Sequence, residues 1–183
     1  MTPEIQLSRV HSGFLFFPYP PCSDGGRTNN GGIDLVHEPN RIDEITELRT
    51  LPRFKSLLLD LNSPSSEFFS LGLDAGEQNE GYGGYVEFAF RDATLATEDN
   101  YRRLLQCLVN WLGQKHPQLA HYFGTWLVAE IQEFYYAEKP HGDRIALWFK
   151  AVNQNAGEEL LCLIAEFLIT HMSPQLKQSR QSD

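Results

Sequence analysis

Twice between Phe69 and Phe90 the apolar residues fall on every second position, first Phe69, Leu71 and Leu73, then Val86, Phe88 and Phe90. That period is the mark of a half-buried strand, and the two runs lie close enough in the chain to pair as an antiparallel hairpin. A lone hairpin is barely stable in water, so the rest of the chain must bring further strands to it. The connection from Asp74 to Tyr85 is longer than a two-residue turn, and Gly76, Gly81, Gly83 and Gly84 predict a bend or bulge where the strands end.

Partners for this hairpin come from the second half of the chain. Residues Thr125 to Tyr136 fit a helix that starts further back, by the spacing of Leu119, Tyr122, Phe123, Trp126, Leu127, Ile131 and Phe134, but Gly124 would then sit in its interior and Glu130 on its apolar face, both at some cost. The same stretch and Arg144 to Val152, rich in Trp, Tyr, Ile, Val and Phe, also fit a second hairpin turning at Lys139 to Gly142. The unmet need of the first hairpin favours the strand reading. Near the N-terminus, Ile5, Leu7, Val10 and the run Phe14 to Phe17 read as extended chain, because strong β-formers dominate and Pro18 and Pro20 forbid a helix.

Helices are expected in four places, and a short helical turn in a fifth. Asn40 caps one built on Ile42, Ile45 and Leu48, which Pro52 stops; Pro52 itself opens a second through Phe54, Leu57, Leu58 and Leu61. Thr97 caps the clearest one, with Glu98 and Asp99 in its first turn and a stripe of Tyr101, Leu104, Leu105, Leu108, Trp111 and Leu112. Pro117 starts a short helical turn that Gly124 ends. The segment from Glu158 to His171 is apolar nearly all round, as a helix buried on more than one side must be. The fold class is therefore α+β: an antiparallel sheet built from hairpins with helices packed on one face, in a single domain over residues 1–172. Residues 173–183 are polar and without period, and are expected as a disordered tail.

Charge is distributed unevenly. The first 99 residues hold sixteen acidic side chains against seven Lys and Arg, a formal −9 equal to that of the whole chain, while the remainder balances. A chain of this charge without a basic stripe repels nucleic acid. No apolar run is long enough to cross a bilayer, and the first residues lack an export signal, so a cytoplasmic protein is expected, with no membrane partner.

Few residues carry a recognisable chemical signature. His116 and His121 are five apart, which does not match the four-residue spacing of a zinc helix, and no metal or other cofactor is expected. Cys107 and Cys162 lie in apolar helical stretches, where burial suppresses the thiolate. Neither a nucleophile elbow nor a phosphate loop is present. The loop from Pro20 to Glu38 holds Cys22, His37 and nearby carboxylates, which define the alternative of a small enzyme. A further alternative, a homo-oligomeric scaffold, would expose Trp126, Trp148, Phe134, Tyr135 and Tyr136 on one sheet face.

The hairpin tip is the best candidate site. Asp74, Glu77, Glu80 and Glu87 are interleaved with Tyr82 and Tyr85, a composition suited to docking a basic protein partner through charge steering and aromatic anchoring. The expected function is a non-enzymatic binding protein, one form of which is an immunity-type inhibitor covering a cationic toxin.

Overall fold

The computed structural model describes residues 5–11, 15–24, 27–29, 31–117 and 127–181. Among the described residues there are eight strands: β1 (Gln6–Arg9), β2 (Leu15–Phe17), β3 (Cys22–Asp24), β4 (Arg27–Asn29), β5 (Phe68–Gln78), β6 (Gly81–Phe90), β7 (Leu127–Tyr136) and β8 (Lys139–Ala151). Six of them form one sheet in the order β1-β7-β8-β6-β5, with β2 following β1 along the same edge of β7; β3 and β4 pair separately. The expected α+β class holds, although the sheet is not wholly antiparallel, because β1 and β2 both run parallel to β7.

Both expected hairpins form, and β6 joins them by pairing with β8. The second hairpin turns earlier than its Lys139 to Gly142 signal implies. Tyr136 pairs with Lys139 across Ala137 and Glu138, both at positive φ, and Lys139 to Gly142 belong to β8. In the first hairpin the turn at Asn79 and Glu80 is followed by Gly81 at φ +102°, where a Cβ would come within 2.4 Å of the Ala151 carbonyl oxygen. Only glycine fits there. The irregularity expected near Gly76 to Gly84 is absent, since Gly72 to Gln78 pair with Gly81 to Glu87 in continuous register; the hairpin's register shift lies instead between Ser70 and Gly72, toward its open end.

Among the described residues four α-helices accompany the sheet: α1 (Pro52–Asn62), α2 (Glu98–Lys115), α3 (Gln154–Glu166) and α4 (Ser173–Gln181). The expected Pro52 start and Thr97 cap are both present, the Thr97 side chain accepting from the Asn100 N–H. No side chain of its own N-cap closes the start of α1. Instead Glu158 of α3, buried, accepts from the backbone N–H groups of Arg53 at 2.8 Å and Phe54 at 3.4 Å. The single helix expected after Asn40 is two 3-10 turns, Pro39–Glu44 and Thr46–Thr50, interrupted by extended backbone at Ile45. Arg41 bonds Glu38 and Glu44, each three residues away, the spacing that a 3-10 turn brings into line. The short turn expected between Pro117 and Gly124 lies almost wholly outside the described residues.

Residues Phe167–Met172 continue α3 as a π-turn, after which Ser173 and Pro174 begin α4. The polar end of the chain, expected as a tail, is thus helical through Gln181. Ion pairs from Arg180 to Glu67 and Asp92 hold it, and the buried Ser173 hydroxyl joins the Glu67 N–H to the Leu168 carbonyl. The contacts with Glu67 and Asp92 are long-range, so no periodicity could have announced them.

One large core joins Val86, Phe88, Phe90, Ala129, Ile131, Ile145 and Leu147 of the sheet to Phe54, Leu58, Tyr101, Leu104, Leu161 and Phe167 of the helices. Each large apolar side chain so buried contributes about 1.5–3 kcal/mol relative to exposure. A second, smaller core gathers Phe17, Phe69, Leu71, Ala89 and Phe134, with Tyr19, Val36 and Tyr136 at its margin. At the other side of the sheet's β1 edge, Arg9 makes a bidentate pair with Asp143 and also reaches Glu98, tying β1 to β8 and to the start of α2.

Candidate functional site

Strand parity separates the residues of the acidic tip. Residues directly opposite one another on paired strands project to the same face. Asp74 lies opposite Tyr85, Tyr85 opposite Trp148, and Trp148 opposite Val128, so these four form one row across β5, β6, β8 and β7. The next row on that face is Gly72, Glu87, Ala146 and Glu130. Glu77 pairs with Tyr82 in the opposite parity, and Tyr82 is buried in the large core with its ring against Gly157. Glu80 occupies the turn. The structure therefore brings together Asp74, Tyr85 and Glu87, and sets Glu77, Glu80 and Tyr82 apart from them. Tyr82 serves as a core residue and has no free surface to anchor a partner.

The three carboxylates of β5 and its turn differ from Glu87 in their surroundings. Among the described residues, Asp74, Glu77 and Glu80 are exposed and in no ion pair. Glu87 is nearly buried, and Arg144 of β8 holds its carboxylate while also donating to the Gln132 side-chain oxygen at 2.7 Å. Burial pushes the Glu87 carboxyl above the ordinary glutamate range, and Arg144 offsets this only in part. Gly72 leaves room for the pair, since a Cβ there would meet a Glu87 carboxylate oxygen at 2.7 Å.

The row through Trp148 is the open part of this face. Trp148 is 42% exposed and Val128 39% exposed, and the Tyr85 ring lies 4.7 Å from the indole, centroid to centroid. The indole N–H donates to Glu130 at 2.7 Å, which fixes the ring's orientation. Burial raises the pKa of the Tyr85 hydroxyl, so it remains a neutral donor. Lys150, opposite Gly83, is an exposed cation on the same face, in addition to the nearly buried Arg144. Trp148, Val128 and Glu130 are absent from the site read off the tip alone. The parity of the second hairpin carried that information, but only once its register against β6 was known.

At the far end of the same face the alternative set is partly assembled. The buried Asp34 carboxylate accepts from the Val36 N–H and from the Tyr136 hydroxyl at 2.8 Å, and its Oδ2 lies 2.8 Å from Nδ1 of the exposed His37. Such a contact orients an imidazole and leaves its Nε2 toward solvent. Beside it the His141 ring packs among Phe69, Phe134 and Tyr136, its Nε2 2.7 Å from the Phe90 carbonyl oxygen. Cys22 lies in β3, and its side chain is outside the described residues. Cys162 is buried, which pushes its thiol up to about 11, and Cys107 is half-buried.

The aromatic set expected of a scaffold is dispersed. Phe134 is in the smaller core, Tyr135 stacks on Phe16, Tyr136 bonds Asp34, Trp148 is on the open row, and Trp126 lies outside the described residues. Among the described residues no group of three or more His, Cys, Asp or Glu is arranged to hold a metal ion, and no helix is long and apolar enough to cross a membrane. Comparison with protein-family models, curated proteins and solved structures finds no significant match to this chain.

Proposed function

We propose that this is a non-enzymatic cytoplasmic binding protein that docks a basic protein partner, as an immunity-type inhibitor docks a cationic toxin. The observation that carries this reading is the row Val128, Trp148, Tyr85 and Asp74, where an oriented, exposed indole and its tyrosine neighbour lie between Asp74 and Glu130. Rigid aromatic anchors beside uncompensated carboxylates suit a partner surface of Lys and Arg, the charges steering approach and the rings filling contact area. In this reading the helices gather over the opposite face and leave this one for the partner. Relative to the tip composition alone, Trp148, Val128 and Glu130 join Asp74, Tyr85 and Glu87, while Glu77 and Glu80 act from the strand edge and turn.

The test compares baits. Proteins captured from the native host by the wild type are challenged with Trp148→Ala and with Asp74→Asn, and the association rate of any cationic protein is measured against salt. Trp148→Ala should speed dissociation at least tenfold, and Asp74→Asn should slow association and flatten its salt dependence. Identical kinetics for both variants would remove this face from consideration.

A second reading rests on the Asp34 to His37 contact, which gives His37 the orientation of a general base. In it the loop from Pro20 to Glu38 serves a small enzyme with Cys22 as nucleophile. Rapid alkylation of Cys22 near pH 6 that is lost in His37→Ala would favour it; alkylation at the rate of a free thiol would dismiss it.

A further inference from the structure

Among the described residues strand β5 ends the sheet, and one of its backbone edges has no strand beside it. Its first part, Phe68 to Leu71, is buried; after the register shift, in the segment from Gly72 to Gln78, Asp74, Glu77 and Gln78 are exposed, while Gly72, Leu73, Ala75 and Gly76 are half-buried, Leu73 and Ala75 against the large core. Among the described residues, the backbone of that segment bonds only to β6. A sheet edge of this kind is a template for an added strand, and proteins discourage unwanted pairing with charge. Here the charge is of one sign: Asp74 projects to the face of Tyr85, and Glu77, three residues on, projects to the face of Tyr82.

Resting on the reading of a basic partner, we infer that the partner is recognised by strand addition: an extended segment with two cationic side chains three residues apart pairs with Gly72 to Gln78. Two residues three apart on a strand point to opposite faces, so one cation meets Asp74 and the other Glu77. Around Gly76 the strand is uncrowded, since a Cβ there would meet nothing within 4 Å. A second copy of this chain is the wrong occupant, because it would bring Asp74, Glu77 and Glu80 of both chains to one seam without a cation. Main-chain bonds would supply the affinity and the paired cations the register.

The probes are synthetic eight-residue peptides alternating Thr and Val with two lysines, either three or two residues apart, and the first peptide carrying N-methyl groups along one backbone edge or the other. The peptide with lysines three apart should bind and protect the Gly72 to Gln78 amides from exchange. N-methylation of one edge should weaken it at least about tenfold while methylation of the other leaves it within about twofold, since only one edge meets β5. Asp74→Asn with Glu77→Gln should weaken it about tenfold and remove the preference for the three-residue spacing. Equal binding by both methylated forms, or no binding of the parent peptide at about 1 mM, overturns strand addition. Neither result touches the basic-partner reading, which the Trp148→Ala and Asp74→Asn kinetics test by themselves.

Discussion

Glu87 and Arg144, on neighbouring strands β6 and β8, form an ion pair that is almost wholly buried although it lies on the face that carries the exposed Trp148. Two charges removed from water in this way are held by each other and by Gln132, and neither tolerates loss of its partner. Arg144→Met or Glu87→Met alone should cost about 3–5 kcal/mol, whereas the double replacement should recover most of that loss. Urea midpoints of the four proteins test it, and additive losses would refute the coupling.

The same pair has a pH signature. Burial raises the Glu87 pKa in the folded state, so the folded form binds the proton more tightly than the unfolded chain. The stabilisation is complete below the unfolded glutamate value and is lost as pH rises through the higher folded value. Wild type should therefore gain stability relative to Glu87→Gln as pH falls from 7 toward 4.5, the ordinary carboxyl value. A difference that is constant with pH would show that Glu87 is not desolvated.

How much of this was legible in the sequence depends on the range of the contact. The alternation of Phe69 to Leu73 and Val86 to Phe90, the Thr97 cap and the Pro52 start are local, and each marks its element. The helical end of the chain was not legible, because Arg180 meets Glu67 and Asp92 across the fold. The tip read as a single acidic patch because composition ignores parity, and parity sends Tyr82 inward and Tyr85 outward. Trp148 could be assigned to that outward row only through the β6 to β8 register, which no local pattern fixes.

Tyr82 supplies a sharp test of that parity. A Cβ at Gly157 would come within 2.5 Å of the Tyr82 ring, which is locked in the large core. Gly157→Ala, ordinarily favourable in a helix, should instead destabilise by about 1–3 kcal/mol through overpacking. Pairing it with Tyr82→Leu should restore part of the loss. A stabilising Gly157→Ala would mean that the ring does not pack there.

The start of α1 depends on a residue a hundred positions away. Leu51 caps nothing, and Glu158 answers the N–H groups of Arg53 and Phe54 while also meeting the Arg53 guanidinium. A carboxylate at a helix N-terminus satisfies unpaired donors and complements the helix dipole. Glu158→Ala should cost about 1–2 kcal/mol and speed exchange of the Phe54 amide, and Glu158→Gln should cost less because an amide oxygen still accepts. Exchange at Phe54 unchanged in Glu158→Ala would show that the donors find another partner.

The turn of the second hairpin runs against its residues. Ala137 and Glu138 both occupy positive φ, at 47° and 68°, which a two-residue connection of this twist requires and which side chains bearing a Cβ resist. Asn and Gly are the residues such turns favour, Gly because it lacks the clash and Asn because its side chain bonds locally. Replacing Ala137→Asn and Glu138→Gly together should stabilise the protein by about 0.5–1 kcal/mol, the relief of strain exceeding the added freedom that Gly gives the unfolded chain. The gain should appear as a higher urea midpoint with the same slope, because no surface is newly buried. A lower midpoint would mean that the turn is held by contacts of the Ala137 or Glu138 side chain, and Glu138→Gly alone would identify which.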